Sequence, residues 1–245
     1  MQISVIIPTF NEEANIGRLV RYLSQHAGNK LEEIIVSDGH SRDNTLSAAK
    51  EAGATTILSP RRGRATQMNY AAAKASGDVL YFVHADTTPP PSYIADIQTA
   101  LADGYLLGGY RSRFLSKNPF LKINAYFTRF DGEAMHGGDQ TLFIYKDLFD
   151  ELGGYREEYV IMEDFELIRR ARKKALFRNM RKRVQISDRK YRENSYLRVN
   201  FANFVVFNMY RLGFSPRAML NIYSKLVRNP KSKIEQETSS PLRAY

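Results

Sequence analysis

The chain opens on a short apolar run, residues 3–7, that stops at Pro8. Apolar residues on successive rather than alternate positions predict a strand buried on both faces, as in a parallel sheet. Asn11 follows as a candidate helix N-cap, with Glu12 and Glu13 in the first turn, where the helix dipole favours acids. Ile16, Leu19, Val20 and Leu23 then recur at helical spacing. The alternation continues. Residues 33–37 read as a strand, 41–52 as a helix stopped by Gly53, 54–58 as a strand, 68–75 as a helix ended near Gly77, and 78–84 as a fourth strand. Such alternation over about the first 100 residues predicts a parallel sheet with helices on both faces. Ligands in such sheets sit at the carboxyl ends of the strands. The segments to read for chemistry are therefore 8–12, 38–41, 61–64 and 85–87.

The pattern then loosens. Residues 105–114 read as a strand pair, or as one long strand with a glycine bulge at Gly108-Gly109. Residues 118–129 read as a helix, 141–145 as a short strand, and 147–152 as a helical turn closed by Gly153-Gly154. A further helix opens at Met162-Glu163-Asp164. Asp164 shares its apolar side with Ile168, Ala171 and Ala175, while Glu163 leads a stripe through Leu167, Arg170 and Lys174. Residues 197–212 are mostly apolar, and 213–216 (Gly-Phe-Ser-Pro) break them. Met219, Ile222, Tyr223 and Leu226 form the apolar stripe of another helix, with Arg217, Lys225 and Arg228 off it. That pattern fits an in-plane membrane helix and equally a helix packed on its own domain. Residues 229–245 are polar and read as a disordered tail.

Composition narrows the class. At 245 residues the chain is one large domain, or one with a small appendage. With 43% hydrophobic and 25% charged residues, global disorder is excluded. The lack of cysteine excludes disulfides, zinc–thiolate sites, iron–sulfur clusters and cysteine nucleophiles. The net charge of +10 is unevenly spread: residues 165–245 carry 20 Lys and Arg against 5 Asp and Glu, and residues 1–164 carry 16 against 21. The basic third suggests an anionic partner: nucleic acid, a phosphorylated small molecule or anionic lipid. No G-x-G-x-x-G follows the first strand and no G-x-x-x-x-G-K-[ST] exists, so neither a dinucleotide fold nor a P-loop is supported. The first residues lack the basic and long apolar regions of a signal peptide. No apolar run reaches the roughly 18 to 20 residues that span a bilayer. The expectation is a cytoplasmic protein, free or held peripherally on the inner face of the membrane.

The motifs, taken in order, resemble the family 2 glycosyltransferases over about residues 1–190. Those motifs are Ile6-Ile7-Pro8-Thr9-Phe10-Asn11-Glu12, Val36-Ser37-Asp38-Gly39-His40-Ser41-Arg42-Asp43-Asn44-Thr45, and Gly63-Arg64-Ala65-Thr66-Gln67-Met68-Asn69 followed by Gly77-Asp78. Val83-His84-Ala85-Asp86-Thr87 stands where that family's Asp-x-Asp motif falls, and Gly153-Gly154-Tyr155 and Met162-Glu163-Asp164 are similar to its later motifs. Together with Gly138-Asp139-Gln140, the set resembles a small non-processive subgroup. The resemblance implies an α/β GT-A fold, a Rossmann-like, mostly parallel sheet flanked by helices. It implies a nucleotide-binding half at 1–104, an acceptor-binding half at 105–190, and a basic amphipathic helical extension at 191–228.

By the same resemblance, Pro8, Thr9, Phe10, Glu12, Asp38, Arg64, Gln67, Ala85, Asp86, Gly138, Asp139 and Gln140 would bind a nucleotide-sugar donor. Asp164 would be the general base of an inverting transfer, with Glu163 its backup. Asp86 would hold Mg²⁺ or Mn²⁺, with His136 a further contact; His84 occupies the place of the family's first acid. The chemistry is coherent on its own terms. A departing nucleoside diphosphate needs its negative charge countered, and a carboxylate is a hard ligand suited to Mg²⁺ or Mn²⁺. The chain has no Trp, so the Gln-x-x-Arg-Trp motif of processive synthases is missing, which favours transfer of one sugar to a hydroxyl acceptor, a lipid-borne one being a candidate. Peripheral membrane contact would run through residues 197–228. Two rival readings are a nucleotide-sugar-binding protein without transferase activity and a basic nucleic-acid-binding module. The second lacks any recognised motif, so no nucleic acid partner is expected.

Overall fold

The structure, a computed structural model, describes residues 1–114, 116, 120, 121, 125, 126, 128, 141–187, 191 and 194–227. The opening apolar run forms β1 (Ile3–Thr9), buried at every position. It lies parallel between β2 (Leu31–Asp38) and β4 (Val79–Phe82), and β3 (Thr55–Leu58) runs parallel outside β2. Past β4 the sheet turns antiparallel into β7 (Leu142–Tyr145) and β6 (Leu107–Phe114). It closes with β8 (Phe177–Ile186), parallel to β6, and the two-residue β5 (Thr87–Thr88). The strand order is β3-β2-β1-β4-β7-β6-β8-β5.

The absence of alternation in β1 has its cause in two cores. Ile3, Val5 and Ile7 join one core with α1 (Glu13–Gln25), α2 (Thr45–Glu51) and α4 (Tyr93–Ala102). Ile6 joins the other with α3 (Arg64–Ala72), α5 (Lys146–Glu151) and α6 (Glu163–Ala171). Helices therefore cover both faces of the sheet, and a strand between them has no solvated side.

Some expectations are corrected. Asn11 does not cap α1, which starts at Glu13. Its φ is +52°, its N–H donates to Ser41 Oγ (2.8 Å), and its Oδ1 accepts from the Arg42 N–H (2.8 Å). It joins two loops instead. Residues 107–114 are one strand, but the irregularity falls between Tyr110 and Arg111, not at the glycines. Gly108 is required by close packing: a Cβ there would lie 2.5 Å from the Arg178 carbonyl oxygen and 2.6 Å from the Phe143 ring. β8 had no counterpart among the predicted elements. Most of the helix expected at 118–129 lies outside the described residues.

The C-terminal helices are α7 (Tyr196–Arg211) and α8 (Pro216–Leu226), capped by Ser195 and Ser215, whose hydroxyls accept from the N–H groups of Arg198 and Ala218. α7 buries Val199, Ala202 and Val206. Contacts of Phe207 with Phe165 (5.8 Å between ring centroids) and of Tyr210 with Arg169 (5.6 Å) seat its second half on the outer side of α6. Leu197, Phe201 and Phe204 remain exposed. Among the described residues no helix is long and apolar enough to cross a membrane.

Candidate active site

The carboxyl ends of β1, β2 and β4 meet at one edge of the sheet, where a buried polar cluster ties β1 to β2. Asp38, fully buried, accepts from the Thr9 hydroxyl (3.1 Å), the Ser41 N–H (2.7 Å) and the Ser41 hydroxyl (2.5 Å). Gln67 reaches in from α3 and donates its Nε2 to the carbonyls of Thr9 (2.8 Å) and Ser37 (2.7 Å). A Cβ on Gly39 would lie 2.8 Å from Gln67 Oε1, so only glycine leaves the clamp intact. Thr9, Asp38 and Gln67 thus shape the strand ends from beneath. Pro8 is buried in β1 opposite Ser37. Glu12 is buried at the start of α1, its N–H bonded to Thr45 Oγ1 (2.9 Å) and its Oε2 accepting from Asn15 (2.9 Å). Phe10 carries the Arg62 guanidinium over its ring, 3.4 Å from the centroid.

The second group of candidates lies at the turn after β4 and the start of α6. His84, Ala85 and Asp86 form the turn after β4, closed by Thr87 N–H donating to the His84 carbonyl (3.0 Å). Asp86 is half-buried. Facing this turn is the start of α6, where Met162 adopts φ +68° and the next two residues are buried acids. Glu163 takes Arg64 Nη1 at 3.3 Å, and Asp164 Oδ2 lies 3.9 Å from His84 Nε2. The two acids are therefore divided: Glu163 toward α3 and its arginine, Asp164 toward the end of β4. Behind them lies Tyr155. Burial first, then the charges of Asp164 and Glu163, push its hydroxyl well above the ordinary tyrosine value, so it stays protonated.

α3 joins the two sides. Asn69 brackets the backbone of Tyr155, its Oδ1 accepting from the N–H (2.9 Å) and its Nδ2 donating to the carbonyl (2.8 Å). Thr66 donates to Glu157 (2.8 Å), and Arg61 pairs with the same carboxylate. Burial alone would raise Glu157, but hydrogen bonds from Arg61, Thr66 and Asn69 outweigh it and hold the carboxyl below its usual range. Arg170 ties α6 to the glycine turn, donating to the carbonyls of Leu152 (2.6 Å) and Gly154 (2.7 Å) while paired with Glu166 (2.6 Å). Tyr155, Glu157 and Asn69 were not among the sequence candidates; the acid two places after Gly-Gly-Tyr was the available signal.

His136, Gly138, Asp139 and Gln140 lie outside the described residues. Among the described residues no three His, Asp or Glu gather to hold a metal. Glu12, Asp38, Glu163 and Asp164 face protein partners at this edge, and the remaining carboxylate of the turn after β4, Asp86, does not by itself fit zinc or a cage-type calcium site. It fits Mg²⁺ or Mn²⁺, which bind through one or two carboxylates with phosphate oxygens and water filling the rest.

Comparison with known proteins agrees with this architecture. Residues 4–156 match the family described as glycosyl transferase family 2. A glucosyl-3-phosphoglycerate synthase of Mycolicibacterium smegmatis is 29% identical over 123 residues, 45% of this chain and 41% of that protein. An undecaprenyl-phosphate 4-deoxy-4-formamido-L-arabinose transferase of Proteus mirabilis is 28% identical over 149 residues, 55% of this chain and 45% of that protein. The chain thus matches less than half the length of these curated relatives. A mannosyltransferase of Pyrobaculum calidifontis, solved with GDP-Man and Mn²⁺, superposes with a TM-score of 0.67 at 20% identity, over 94% of this chain and 71% of that one. The sheet flanked by helices is the fold they share, and the chain belongs to glycosyl transferase family 2.

Proposed function

We propose that this chain transfers one sugar, with inversion, from a nucleotide-sugar donor to an acceptor hydroxyl. The observation that carries the reading is the meeting of the turn after β4 with the acidic start of α6, where Asp164 lies 3.9 Å from His84 and Glu163 3.3 Å from Arg64. Residues 1–104 serve the donor and 105–190 the acceptor. Thr9, Asp38 and Gln67 hold the strand ends that support the nucleotide, and Arg64, at the start of α3, offers its charge and the helix N-terminus to the diphosphate.

Asp164 takes the proton from the acceptor hydroxyl. The oxygen attacks the anomeric carbon opposite the bond to the diphosphate, and the nucleoside diphosphate leaves with the bonding pair. Tyr155 stays protonated beside Asp164, and Glu163 positions Arg64. Asp86 would hold Mg²⁺ or Mn²⁺ against the diphosphate, and such an ion, when bound, neutralises charge on the leaving group. The Mn²⁺ present with GDP-Man in the Pyrobaculum mannosyltransferase supports this choice of metal. A lipid-borne acceptor is supported by the undecaprenyl-phosphate substrate named for the Proteus relative. It is supported too by the exposed Leu197, Phe201 and Phe204 on α7, flanked by Arg198 and Arg211, which suit a peripheral seat on an anionic surface.

Asp164→Asn tests the central role. General-base catalysis is worth about 10²–10⁴-fold, so transfer should fall by that factor while the dissociation constant for nucleoside diphosphate stays unchanged. Full activity in the variant would remove Asp164 from the mechanism.

A further inference from the structure

Phe82 at the end of β4, Phe149 in α5 and Tyr155 after the glycine turn form a triangle of rings, with centroid separations of 5.4, 5.2 and 5.7 Å. All three belong to the core beneath α6. Two of them are phenylalanines. A third phenylalanine would fill the same space and would spare the fold the desolvation of a hydroxyl. The Tyr155 hydroxyl oxygen is nevertheless buried, with no hydrogen bond of ordinary geometry. A buried oxygen of this kind has to be explained by the polar groups it faces.

Those groups are the acids that open α6. Burial, then the charge of Asp164, then that of Glu163, keep the hydroxyl protonated, and Asp164 is the side chain placed to accept from it. The tyrosine is fixed independently of that contact. Asn69 brackets its backbone with bonds of 2.9 and 2.8 Å, the two phenylalanines hold its ring, and Arg170 ties the preceding turn to α6 through the carbonyls of Leu152 and Gly154. Asp164 also faces His84 at 3.9 Å. The acids nearest to it on the helix are held by arginines: Glu163 by Arg64, and Glu166 by Arg156 and Arg170. A general base has to be kept within about 0.5 Å of its productive position by groups behind it. Hydrogen bonds that do this are often long before substrate binds and tighten in the complex.

We propose that Tyr155 is a positioning residue for the candidate base: its hydroxyl donates to Asp164 and aims the carboxylate at the acceptor hydroxyl. The proposal rests on the transferase reading and adds a group to it. Tyr155 gives up no proton in the reaction; the proton of the acceptor goes to Asp164.

Tyr155→Phe removes one oxygen and keeps the ring and backbone contacts. Turnover is read on the full chain as nucleoside diphosphate released from a panel of UDP-, GDP- and dTDP-linked hexoses with Mn²⁺, water standing in for the acceptor. In Tyr155→Phe kcat should fall about tenfold, the loss expected of a hydrogen bond to a charged group, with KM for the donor unchanged. Urea unfolding of wild type, Tyr155→Phe, Asp164→Asn and the double variant is the second readout. The two substitutions should be non-additive by about tenfold in the unfolding constant. An unchanged kcat, a loss carried by KM, or additive substitutions would overturn the positioning role. Coupling in unfolding, with no nucleoside diphosphate released by wild type from any donor, would instead overturn the transferase reading and leave the contact between Tyr155 and Asp164 standing.

Discussion

Gly153 and Gly154 both adopt left-handed backbone, at φ +73° and +68°, yet replacing them by alanine should have unequal consequences. A left-handed non-glycine residue costs about 1 kcal/mol. A Cβ on Gly153 meets nothing within 4 Å, so Gly153→Ala should cost that amount and no more. A Cβ on Gly154 would lie 2.7 Å from Asn69 Oδ1 and 3.2 Å from the Phe149 ring. Asn69 must then move, and it brackets Tyr155 with bonds of 2.9 and 2.8 Å. Each bond forfeits about 1 kcal/mol, which brings Gly154→Ala to about 3 kcal/mol. At about 2–4 °C per kcal/mol for a chain of this size, Tm should fall about 2–4 °C in Gly153→Ala and about 6–12 °C in Gly154→Ala. Thermal unfolding reads both. In an Asn69→Ala background the collision with the amide is gone and the 3.2 Å approach to the Phe149 ring remains, so Gly154→Ala should cost clearly less than in the wild-type background. Equal losses at the two glycines, or full additivity with Asn69→Ala, would refute the idea that α3 holds the glycine turn through this amide.

Other consequences follow from the same network. Glu157 is held below its usual range, so its contribution to stability is complete above about pH 4.5 and lost as pH falls through its depressed folded value. Urea unfolding from pH 6 to pH 3 should therefore show a slope that Glu157→Gln reduces; an unchanged slope would mean that the Arg61–Thr66–Asn69 clamp does not depend on the charge. Phe201→Asp with Phe204→Asp, both at exposed positions of α7, should abolish flotation with anionic vesicles while leaving Tm within about 2 °C, because these side chains pack against little. Retained flotation would move the membrane contact elsewhere.

The first half of the fold was legible because its strands lie between two cores: an apolar run such as residues 3–7 has one physical explanation, burial on both faces. The start of α6 was legible because acids are favoured in a first turn. β8 was hidden by its own register. Its inward positions are Phe177, Met180, Val184 and Ile186, and the irregularity opposite Tyr110 and Arg111 inserts extra basic residues that break any period of two. At the site, positions were easier to read than roles. Asp38 and Gln67 stood out as ligand contacts, yet Asp38 is occupied by Thr9 and Ser41, and Gln67 by two strand-end carbonyls. Apart from the local Asp38–Ser41 bond, these join residues 29 to 58 positions apart in the chain. Glu157 is tied to Thr66 across 91 positions, and no local pattern marks such a pair.

The donor site is tested most directly by thermal unfolding with a panel of nucleotide sugars and nucleoside diphosphates, with and without Mn²⁺, in wild type and Asp86→Ala. A ligand at 100 times its dissociation constant adds about 2.7 kcal/mol, a rise of about 5–10 °C for this chain. The account predicts such a rise for one nucleotide, dependent on Mn²⁺ and lost in Asp86→Ala. No rise with any nucleotide in wild type would contradict it.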